Sequence, residues 1–304
     1  MASNPAVVSP APPQAPGLPA GRLRLPQGGL GQDLRAIKIV WYRDLIRFVR
    51  DRMRLVTALV QPVLYLLVLG TGLTALVNRG GNGLSASGID VRTFMFPGVM
   101  TMAVVFTAMF SSGSIVWDRE FGFLREMLVA PVSRASIVIG KLLGGATVAT
   151  FQGVVILALA GLVGVPYRPS LLLLLVFELI LLAGAMTAFG VMAAARIKNF
   201  QSFMALMQMV IMPMYFLSGA MFPLSGIPGW LRFLTRINPL TYAVDPLRRT
   251  VFAHLNVNPF VREALAPGLT WGGWRVPVGV ELLLVAAIGL VLGGIAVVEF
   301  GRAE

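Results

Sequence analysis

The chain has 304 residues and a net charge of +12, with 57% hydrophobic and only 12% charged residues. Soluble domains are about one-quarter charged, so this composition excludes an ordinary soluble protein and predicts a polytopic membrane protein. The absence of cysteine and the single His254 exclude disulfides, thiol catalysis and a histidine-based metal cluster. The positive charge fits the cytoplasmic segments of a membrane protein better than nucleic-acid binding, because no soluble domain is available to hold a nucleic acid.

The N-terminal part of the chain precedes any membrane span. Residues 1–32 are rich in proline, alanine and glycine, which predicts a disordered cytoplasmic tail rather than a signal peptide. Residues 33–54 place apolar side chains such as Trp41 and Phe48 on one helical face and Arg43 and Arg47 on the other. This pattern predicts an amphipathic interfacial helix that lies in the membrane surface with its arginines toward anionic lipid headgroups.

Six apolar stretches follow, each close to the roughly 20 residues that cross a bilayer. They are spans 1 to 6, at residues 55–77, 94–116, 142–165, 170–195, 200–220 and 277–299. Pro62 and Pro213 lie inside spans 1 and 5, where membrane helices tolerate a kink. The predicted fold class is therefore an all-α polytopic membrane protein with one transmembrane domain over residues 55–304.

The distribution of Lys and Arg predicts the orientation of these spans. Nine of them precede span 1, and others follow in 117–141, after span 4 and in the tail. The two short loops on the opposite side hold only Arg79, Arg92 and Arg168. Both termini are therefore expected in the cytoplasm. The segment of about 221–275 is then external, with short re-entrant helices dipping into the interface and Trp271 and Trp274 in an aromatic belt.

The segment "WDREFGFLREMLVAPVSR" at 117–134 is unusually charged for its place between spans 2 and 3. Asp118 is placed to cap a helix that starts at Arg119, and Pro131 would end that helix. Ser133 or Ser136 can then cap span 3. Mixed charges beside apolar anchors suit a protein partner better than a lipid surface, which favours basic residues alone.

The chain resembles the membrane subunits of ABC exporters of type-2 architecture over about residues 33–300. The resemblance rests on "WDREFGFLREMLVAPVSRASIVIGK", on "SGAMFP" at 218–223 and on "NPLTYAVDPLR" at 238–248. The branch it is most similar to contains daunorubicin-resistance and nodulation-factor export permeases. It implies a non-catalytic permease in the bacterial plasma membrane, paired with a second permease chain, identical or related. Two separate ATPase subunits would carry the ATP and Mg, and this chain itself would carry no cofactor.

The sequence fits that division of labour because it contains no G-x-x-x-x-G-K-[ST] phosphate-binding loop. The glycines of "IGKLLGG" instead predict close helix packing at Gly140 and Gly144. The resemblance implies that the segment of about 118–131 is a coupling helix that contacts the ATPase. Its candidate residues are Asp118, Arg119, Glu120, Phe121, Gly122, Leu124, Arg125, Glu126 and Leu128. The residues that carry the external family motif are Ser218, Gly219, Pro223, Asn238, Pro239, Tyr242 and Arg248.

Candidates for the substrate path lie in spans 4 and 5. Glu178 is an acid inside span 4, and it is either a locally paired structural group, a site for a cationic substrate or a contact between two chains. Span 5 is rich in methionine and aromatic residues, which form either an adaptable substrate wall or ordinary packing. The residues considered are Glu178, Phe203, Met207, Met214, Tyr215 and Phe216.

Several functions remain open at this point. The resemblance favours export of a hydrophobic or amphipathic drug or antibiotic, and export of a lipid, lipo-oligosaccharide or polysaccharide is the alternative. An ion-coupled secondary carrier would need coupling residues in mid-span, and Glu178 alone offers little for that. A membrane enzyme would need a clustered polar site, which the sequence does not provide.

Overall fold

The computed structural model describes residues 29–79, 90–122, 132–224, 226–255 and 258–302. Nearly all of the predicted N-terminal tail lies outside these residues. The elements, in chain order, are α1 (Leu30–Arg50), α2 (Arg52–Leu64), a π-helical turn (Tyr65–Leu69), α3 (Gly70–Arg79), α4 (Val91–Glu120), α5 (Arg134–Leu157), a 3₁₀ turn (Ala160–Val163), α6 (Pro169–Arg196), α7 (Phe200–Leu217), α8 (Gly229–Ile237), α9 (Thr241–Ala253), α10 (Pro259–Leu265), β1 (Thr270–Trp271), β2 (Trp274–Arg275) and α11 (Val278–Arg302).

Six helical stretches among the described residues are long and apolar enough to cross a membrane, which confirms the predicted all-α polytopic fold. Span 1 is Val56–Ala75, within α2, the π-helical turn and α3, and spans 2 to 6 are α4, α5, α6, α7 and α11. Span 2 is longer than predicted at both ends. Its 30 residues extend about 45 Å, which exceeds the roughly 30 Å of hydrocarbon, so its polar ends continue the helix beyond the apolar stretch.

Span 2 lies at the centre of the bundle. In its most apolar window 78% of the residues are buried, against 17% in span 1 and 22% in each of spans 5 and 6. Spans 2, 3 and 4 pack against one another, and span 6 packs mainly against span 4. Spans 1, 5 and 6 therefore present broad apolar faces to lipid or to another chain.

Local sequence signals explain where several helices begin. The side chains of Asp90, Ser133 and Asn199 accept backbone hydrogen bonds at the starts of spans 2, 3 and 5. The prediction that Ser133 or Ser136 caps span 3 is thus confirmed at Ser133. Inside span 1, Pro62 lacks the N–H that would bond the carbonyl of Ala58. The side-chain amide of Gln152 in span 3 donates to that carbonyl at 3.2 Å.

Helix α1 is amphipathic as predicted, but its buried face packs lengthwise along span 3. Asp33 accepts a hydrogen bond from the N–H of Ser133 near its start, and Phe48 meets the ring of Phe151 near its end. These contacts cover about 22 Å of α1 in the same order along both helices. The helix therefore runs beside span 3 over this length, and its location in the membrane surface stays a prediction.

The glycines of span 3 make this close approach possible, which confirms the packing predicted for them. A Cβ atom added at Gly140 would lie 2.8 Å from Cβ of Val40, and one at Gly144 would lie 3.1 Å from Cβ of Asp44. The partner in this packing is α1.

The segment of about 221–275 folds into the short helices α8, α9 and α10 and the hairpin of β1 and β2, in line with the prediction of short helices there. Most of α9 is buried, and it packs against spans 2, 4 and 6. Trp271 and Trp274 lie in the hairpin with their side chains exposed.

Candidate functional site

The segment that was predicted to couple to an ATPase begins inside span 2. The prediction that Asp118 caps a new helix starting at Arg119 is wrong, because Asp118, Arg119 and Glu120 are the last three residues of α4. The helix ends just after them, and Gly122 adopts a φ of +82°, a left-handed conformation that commonly terminates helices. Residues 123–131, which include the predicted coupling residues Leu124, Arg125, Glu126 and Leu128, lie outside the described residues.

The Asp118 carboxylate is used within the chain. Nζ of Lys141 lies 2.8 Å from Oδ2 of Asp118 and 3.3 Å from Oδ1 of Asp44, and it donates to Oγ of Ser114 at 3.0 Å. Arg43 approaches the same Asp118 oxygen at 3.1 Å from the exposed side. The side chains of Lys141, Asp118 and Asp44 are only 3%, 5% and 7% exposed. This buried charge cluster (Asp44, Asp118 and Lys141) joins α1, span 2 and span 3.

Ion pairing explains how Asp118 can be buried at the end of the helix. An unpaired buried carboxylate is very costly, whereas one held by a lysine and an arginine is tolerated. The neutralising partners come from elements far away in sequence, so local capping preferences could not reveal them. Asp44 and Lys141 were not predicted as functional residues. The available signals were an acid inside an otherwise basic helix and a lysine directly before an apolar run.

Arg119 and Glu120 bind the neighbouring helix ends. Nη1 of Arg119 donates to the carbonyl oxygens of Ala194, Ala195 and Ile197, at 3.1 to 3.2 Å. These carbonyls belong to the end of span 4 and the residue after it, where a helix lacks its own donors. Oε2 of Glu120 accepts from the N–H of Phe200, the first residue of span 5, at 2.9 Å. The end of span 2 therefore holds the end of span 4 and the start of span 5.

Aromatic rings cover the same corner of the molecule. The ring of Trp117 lies 4.6 Å from that of Phe121 and 5.1 Å, edge-on, from that of Phe200. Phe121 keeps 57% of its surface exposed. Among the predicted coupling residues that the structure describes, Phe121 is therefore exposed to a partner, as is Glu120, whose Oε2 is engaged by Phe200.

A cavity of about 610 Å³ lies beside this corner, between α1, span 1, span 2 and the start of span 5. Its wall on span 2 runs from Met102 to Trp117, which is about 22 Å of helix. The aromatic lining residues are Phe48, Phe106, Phe110, Trp117 and Phe200, and the polar ones include Arg47, Asp51, Gln61 and Ser114. Phe110 and Trp117 are 48% and 37% exposed, so the cavity opens on the surface of the chain.

The structure separates the predicted substrate-path residues from this cavity. Phe203, Met207 and Tyr215 are buried on the face of span 5 that packs toward span 2, and Tyr215 donates to the carbonyl of Gly98 at 3.1 Å. Met214 is half-buried, whereas Phe216 is 52% exposed on the outer face. Only the first residue of span 5, Phe200, contributes to the lining.

Glu178 lies inside the chain on span 4. Its Oε1 accepts a hydrogen bond from Oγ1 of Thr250 in α9 at 2.6 Å, and the residue is 3% exposed. This contact agrees with a locally paired structural role, and the roles in substrate binding or chain pairing stay predictions. The nearby Glu281 is fully buried, and its carboxylate lies 3.5 Å from Arg249.

The residues of the predicted external motif do come together. Gly219 turns the chain after span 5 with a φ of +75°, and the hydroxyl of Ser218 bonds the carbonyl of Tyr215. Arg248 is almost fully buried and donates to the carbonyls of Gly219, Ala220 and Phe222, while its guanidinium lies 4.5 Å from the ring centre of Phe94. Arg248 therefore fixes α9 to the turn after span 5.

The second half of the motif ties the adjoining helices. Asn238 donates to the carbonyl of Met214 at 2.6 Å and accepts from the N–H of Leu240. Tyr242 donates to the carbonyl of Arg236 and accepts from the indole of Trp271. Pro223 lies in the turn after span 5 and Pro239 between α8 and α9. These contacts assign the motif a structural role in closing the end of the bundle.

A sequence model of the ABC-2 type transporter family matches residues 35–252, from α1 to the end of α9. The chain belongs to the ABC-2 type transporter family. The match includes the buried charge cluster, the 610 Å³ cavity and the external motif of this ABC-2 permease.

Curated relatives of this ABC-2 permease are transport permeases and nodulation proteins. The ycf38 transport permease of Cyanophora paradoxa is 29% identical over 68% of this chain and 70% of its own length. Nodulation protein J of Rhizobium leguminosarum bv. viciae is 28% identical over 76% of this chain and 86% of its own. The multidrug ABC transporter permease YbhR of Escherichia coli K12 is 30% identical over 52% of this chain and 43% of its own.

Nothing in the described part of this permease gathers three or more His, Asp or Glu side chains in a way that suits a metal ion. At the end of span 2, Asp118 and Lys141 instead pair with each other, and Arg119 and Glu120 bind helix ends.

Proposed function

We propose that this permease is the non-catalytic membrane subunit of an ATP-driven exporter that moves a hydrophobic or amphipathic compound out across the plasma membrane. The observation that carries the proposal is the 610 Å³ cavity beside the end of span 2. Family membership supports an ABC transporter in general. The cavity supports a hydrophobic or amphipathic substrate and its entry from the inner leaflet.

The lining suits an amphiphile. Ligand sites for small organic molecules commonly occupy about 300 to 1,000 Å³ and combine apolar walls with a few polar groups. Here five aromatic rings form the walls, and Arg47 and Ser114 lie toward the end of span 2, where Arg47 approaches Asp118 at 3.8 Å and Ser114 accepts from Lys141. A compound from the inner leaflet can place its apolar body against the rings and its polar group near those side chains.

The corner formed by Arg119 and Glu120 supports a coupling mechanism. A partner ATPase that pushes on the 121–131 segment would move the end of span 2, and the bonds of Arg119 and Glu120 would transmit that movement to spans 4 and 5. In this proposal Asp118, Arg119 and Glu120 are positioning residues. The direct contacts are left to Phe121, Gly122 and the proposed coupling residues Leu124, Arg125, Glu126 and Leu128. ATP and Mg would reside on two partner subunits.

A pair of threonines in span 1 gives a matched test of the cavity. Thr57 lines it, whereas Thr71 lies outside it. The two residues are otherwise alike, because both are exposed and the hydroxyl of each donates to the carbonyl four residues earlier. We expect Thr57→Trp to raise the KM for transport or for substrate-stimulated ATP hydrolysis at least about tenfold, because the ring fills the cavity. Thr71→Trp should leave it within about twofold.

The assay uses the permease reconstituted with its ATPase in proteoliposomes. Wild-type kinetics in Thr57→Trp would remove the cavity as the substrate site. Transport that continues without ATP and follows an ion gradient would replace the exporter by a secondary carrier.

Export of a lipid, lipo-oligosaccharide or polysaccharide by the same mechanism is the second candidate. The opening of the cavity at Phe110 and Trp117, on the surface of the spans, favours it, because a membrane-resident amphiphile can enter sideways. The relative named as a multidrug permease favours the drug class instead. A photo-crosslinking residue at position 57 would capture the ligand, and mass spectrometry would identify its class.

A further inference from the structure

A second cavity, of about 450 Å³, lies at the opposite end of the bundle from the 117–134 segment. It is an open cavity lined by residues of α9, α10 and β2 and of the beginnings of spans 4 and 6. No part of the proposed transport mechanism uses it.

Its lining is rich in cationic groups. The arginines Arg249, Arg262 and Arg275 line it together with His254, and Glu263 is the carboxylate among the lining residues. Arg249 is held from one side by Asp245 and Glu281, each at 3.5 Å. Arg262 and Arg275 are exposed to solvent, and Glu263 lies 3.8 Å from Arg275. The imidazole of His254 bonds the carbonyl of Thr250 through Nδ1, which leaves Nε2 for another partner.

Guanidinium groups in such a cluster favour an anion with several oxygens. Arginine binds phosphate through parallel N–H donors, and these bonds are stronger than neutral ones. The donors here come from three different elements, so one phosphate group could bridge α9, α10 and β2.

The surroundings distinguish a lipid phosphate from a free one. Leu174 in the lining lies about one and a half turns inside span 4, and Val278 is the first residue of span 6. From there an exposed apolar strip of Leu173, Phe177 and Ile180 runs down span 4, with exposures of 72%, 52% and 48%. Trp274, next to Arg275, is also exposed, and tryptophan marks the headgroup level of membranes. A lipid whose acyl chain packs on this strip would have its headgroup phosphate beside the arginines.

We propose that this cavity binds the phosphate of an anionic phospholipid, whose acyl chain packs on the outer face of span 4. The lipid is a resident ligand that stabilises the packing of α9, α10 and the hairpin against spans 4 and 6. The proposal does not depend on what the permease transports.

The test measures lipid retention on the purified full-length chain by native mass spectrometry. The probes are dioleoyl phosphatidylglycerol, dioleoyl phosphatidylcholine and inorganic phosphate. The pocket variant is Arg262→Gln with Arg275→Gln. The control is Arg232→Gln with Arg236→Gln, which removes two arginines from α8, outside the cavity. We expect the pocket variant to bind phosphatidylglycerol at least about tenfold more weakly, because two charge-assisted contacts are lost. The control should bind within about twofold of wild type.

Three results would overturn the proposal. Equal binding of phosphatidylcholine would show that the phosphate of an anionic lipid is not recognised. Retention of inorganic phosphate with the same affinity would assign the cavity to a free anion. An equal loss in the α8 control would reduce the effect to overall charge. Arg275 also bonds the carbonyl of Ala266. If the double variant does not fold, Arg262→Gln is compared with Arg232→Gln in the same assay.

Discussion

Single charged residues at the end of span 2, beside the 117–134 segment, interact mainly with other residues of the same chain. Lys141 forms ion pairs with two buried aspartates, Arg119 satisfies carbonyls at the end of span 4, and Glu120 satisfies an N–H at the start of span 5. A charge in such a place looks available for a partner when only its sequence neighbours are considered. The distinction matters for mutagenesis, because loss of transport after a change at these positions would follow from a displaced helix end as readily as from a lost intermolecular contact.

Replacement of Lys141 by methionine tests the buried charge cluster. The change leaves Asp44 and Asp118 buried without their shared cation, and we expect a loss of roughly 3 kcal/mol in the free energy of unfolding. Arg43 still faces Asp118 and limits the loss. Denaturant unfolding in detergent micelles measures it. The further change Asp118→Leu should restore part of the stability, and a double variant less stable than Lys141→Met would contradict the assignment.

Glu120 separates a capping role from an ionic contact with the ATPase. Its carboxylate accepts the N–H of Phe200, and glutamine keeps an acceptor at that place whereas alanine does not. We expect Glu120→Gln to retain substrate-stimulated ATP hydrolysis within about threefold, and Glu120→Ala to cost about 1 kcal/mol of stability with a larger loss of coupling. Stimulated ATPase activity in proteoliposomes checks both. If glutamine were as damaging as alanine, the negative charge itself would be required.

At the scale of helices, hydropathy was sufficient to predict all six spans, because about 20 consecutive apolar residues have few other uses. The packing of helix α1 was not accessible in the same way. Its amphipathic pattern predicts a buried face but does not identify the element that covers it. That element is span 3, and the contact depends on Gly140 and Gly144, a hundred residues away. The partner of Glu178 was hidden for a similar reason, since Thr250 lies 72 residues further along the chain.

The glycine contact with α1 can be tested by a pair of alanine substitutions. Gly140→Ala places a Cβ 2.8 Å from Val40 and 3.1 Å from the carbonyl of Ile37, whereas a Cβ at Gly184 in span 4 meets nothing within 4 Å. We expect Gly140→Ala to lose about 1 to 3 kcal/mol because α1 must shift. Gly184→Ala should be neutral or gain up to about 1 kcal/mol from helix propensity. Equal unfolding midpoints for the two variants would show that α1 yields easily.

The start of α1 should detach from span 3 in acid. The hydrogen bond from the backbone of Ser133, with further ones from the hydroxyls of Ser136 and Ser133, lowers the pKa of Asp33 below its ordinary value. The bond is therefore fully present above the ordinary aspartate pKa of about 4 and is lost as pH falls through the lower value of the folded chain. Spin labels at positions 34 and 139, introduced as cysteines in the cysteine-free chain, report the separation. The distance distribution should broaden in acid, and Asp33→Ala should be broad already at pH 7.

At the scale of the whole molecule, the exposed faces of the peripheral spans indicate where the second permease chain expected from the sequence would pack. Span 5 is buried toward span 2 along one side only, and its other side carries Met209 at 72% exposure, Phe216 at 52% and the exposed amide of Gln208 half-way along the helix. A primary amide in contact with hydrocarbon leaves its donors and acceptor unsatisfied. Span 6 exposes Leu290 at 78%, and this part of its surface needs no polar partner.

We therefore expect the face with Gln208 to contact the second permease chain and the face with Leu290 to contact lipid. A benzophenone amino acid at position 208 should crosslink to a protein of permease size in native membranes, and the same probe at position 290 should react with lipid. The probe captures an identical or a related chain alike, and peptide mass spectrometry of the product distinguishes the two. Protein crosslinks at 290 with none at 208 would place the second chain against span 6, and the amide of Gln208 would then have to face water within the transport path.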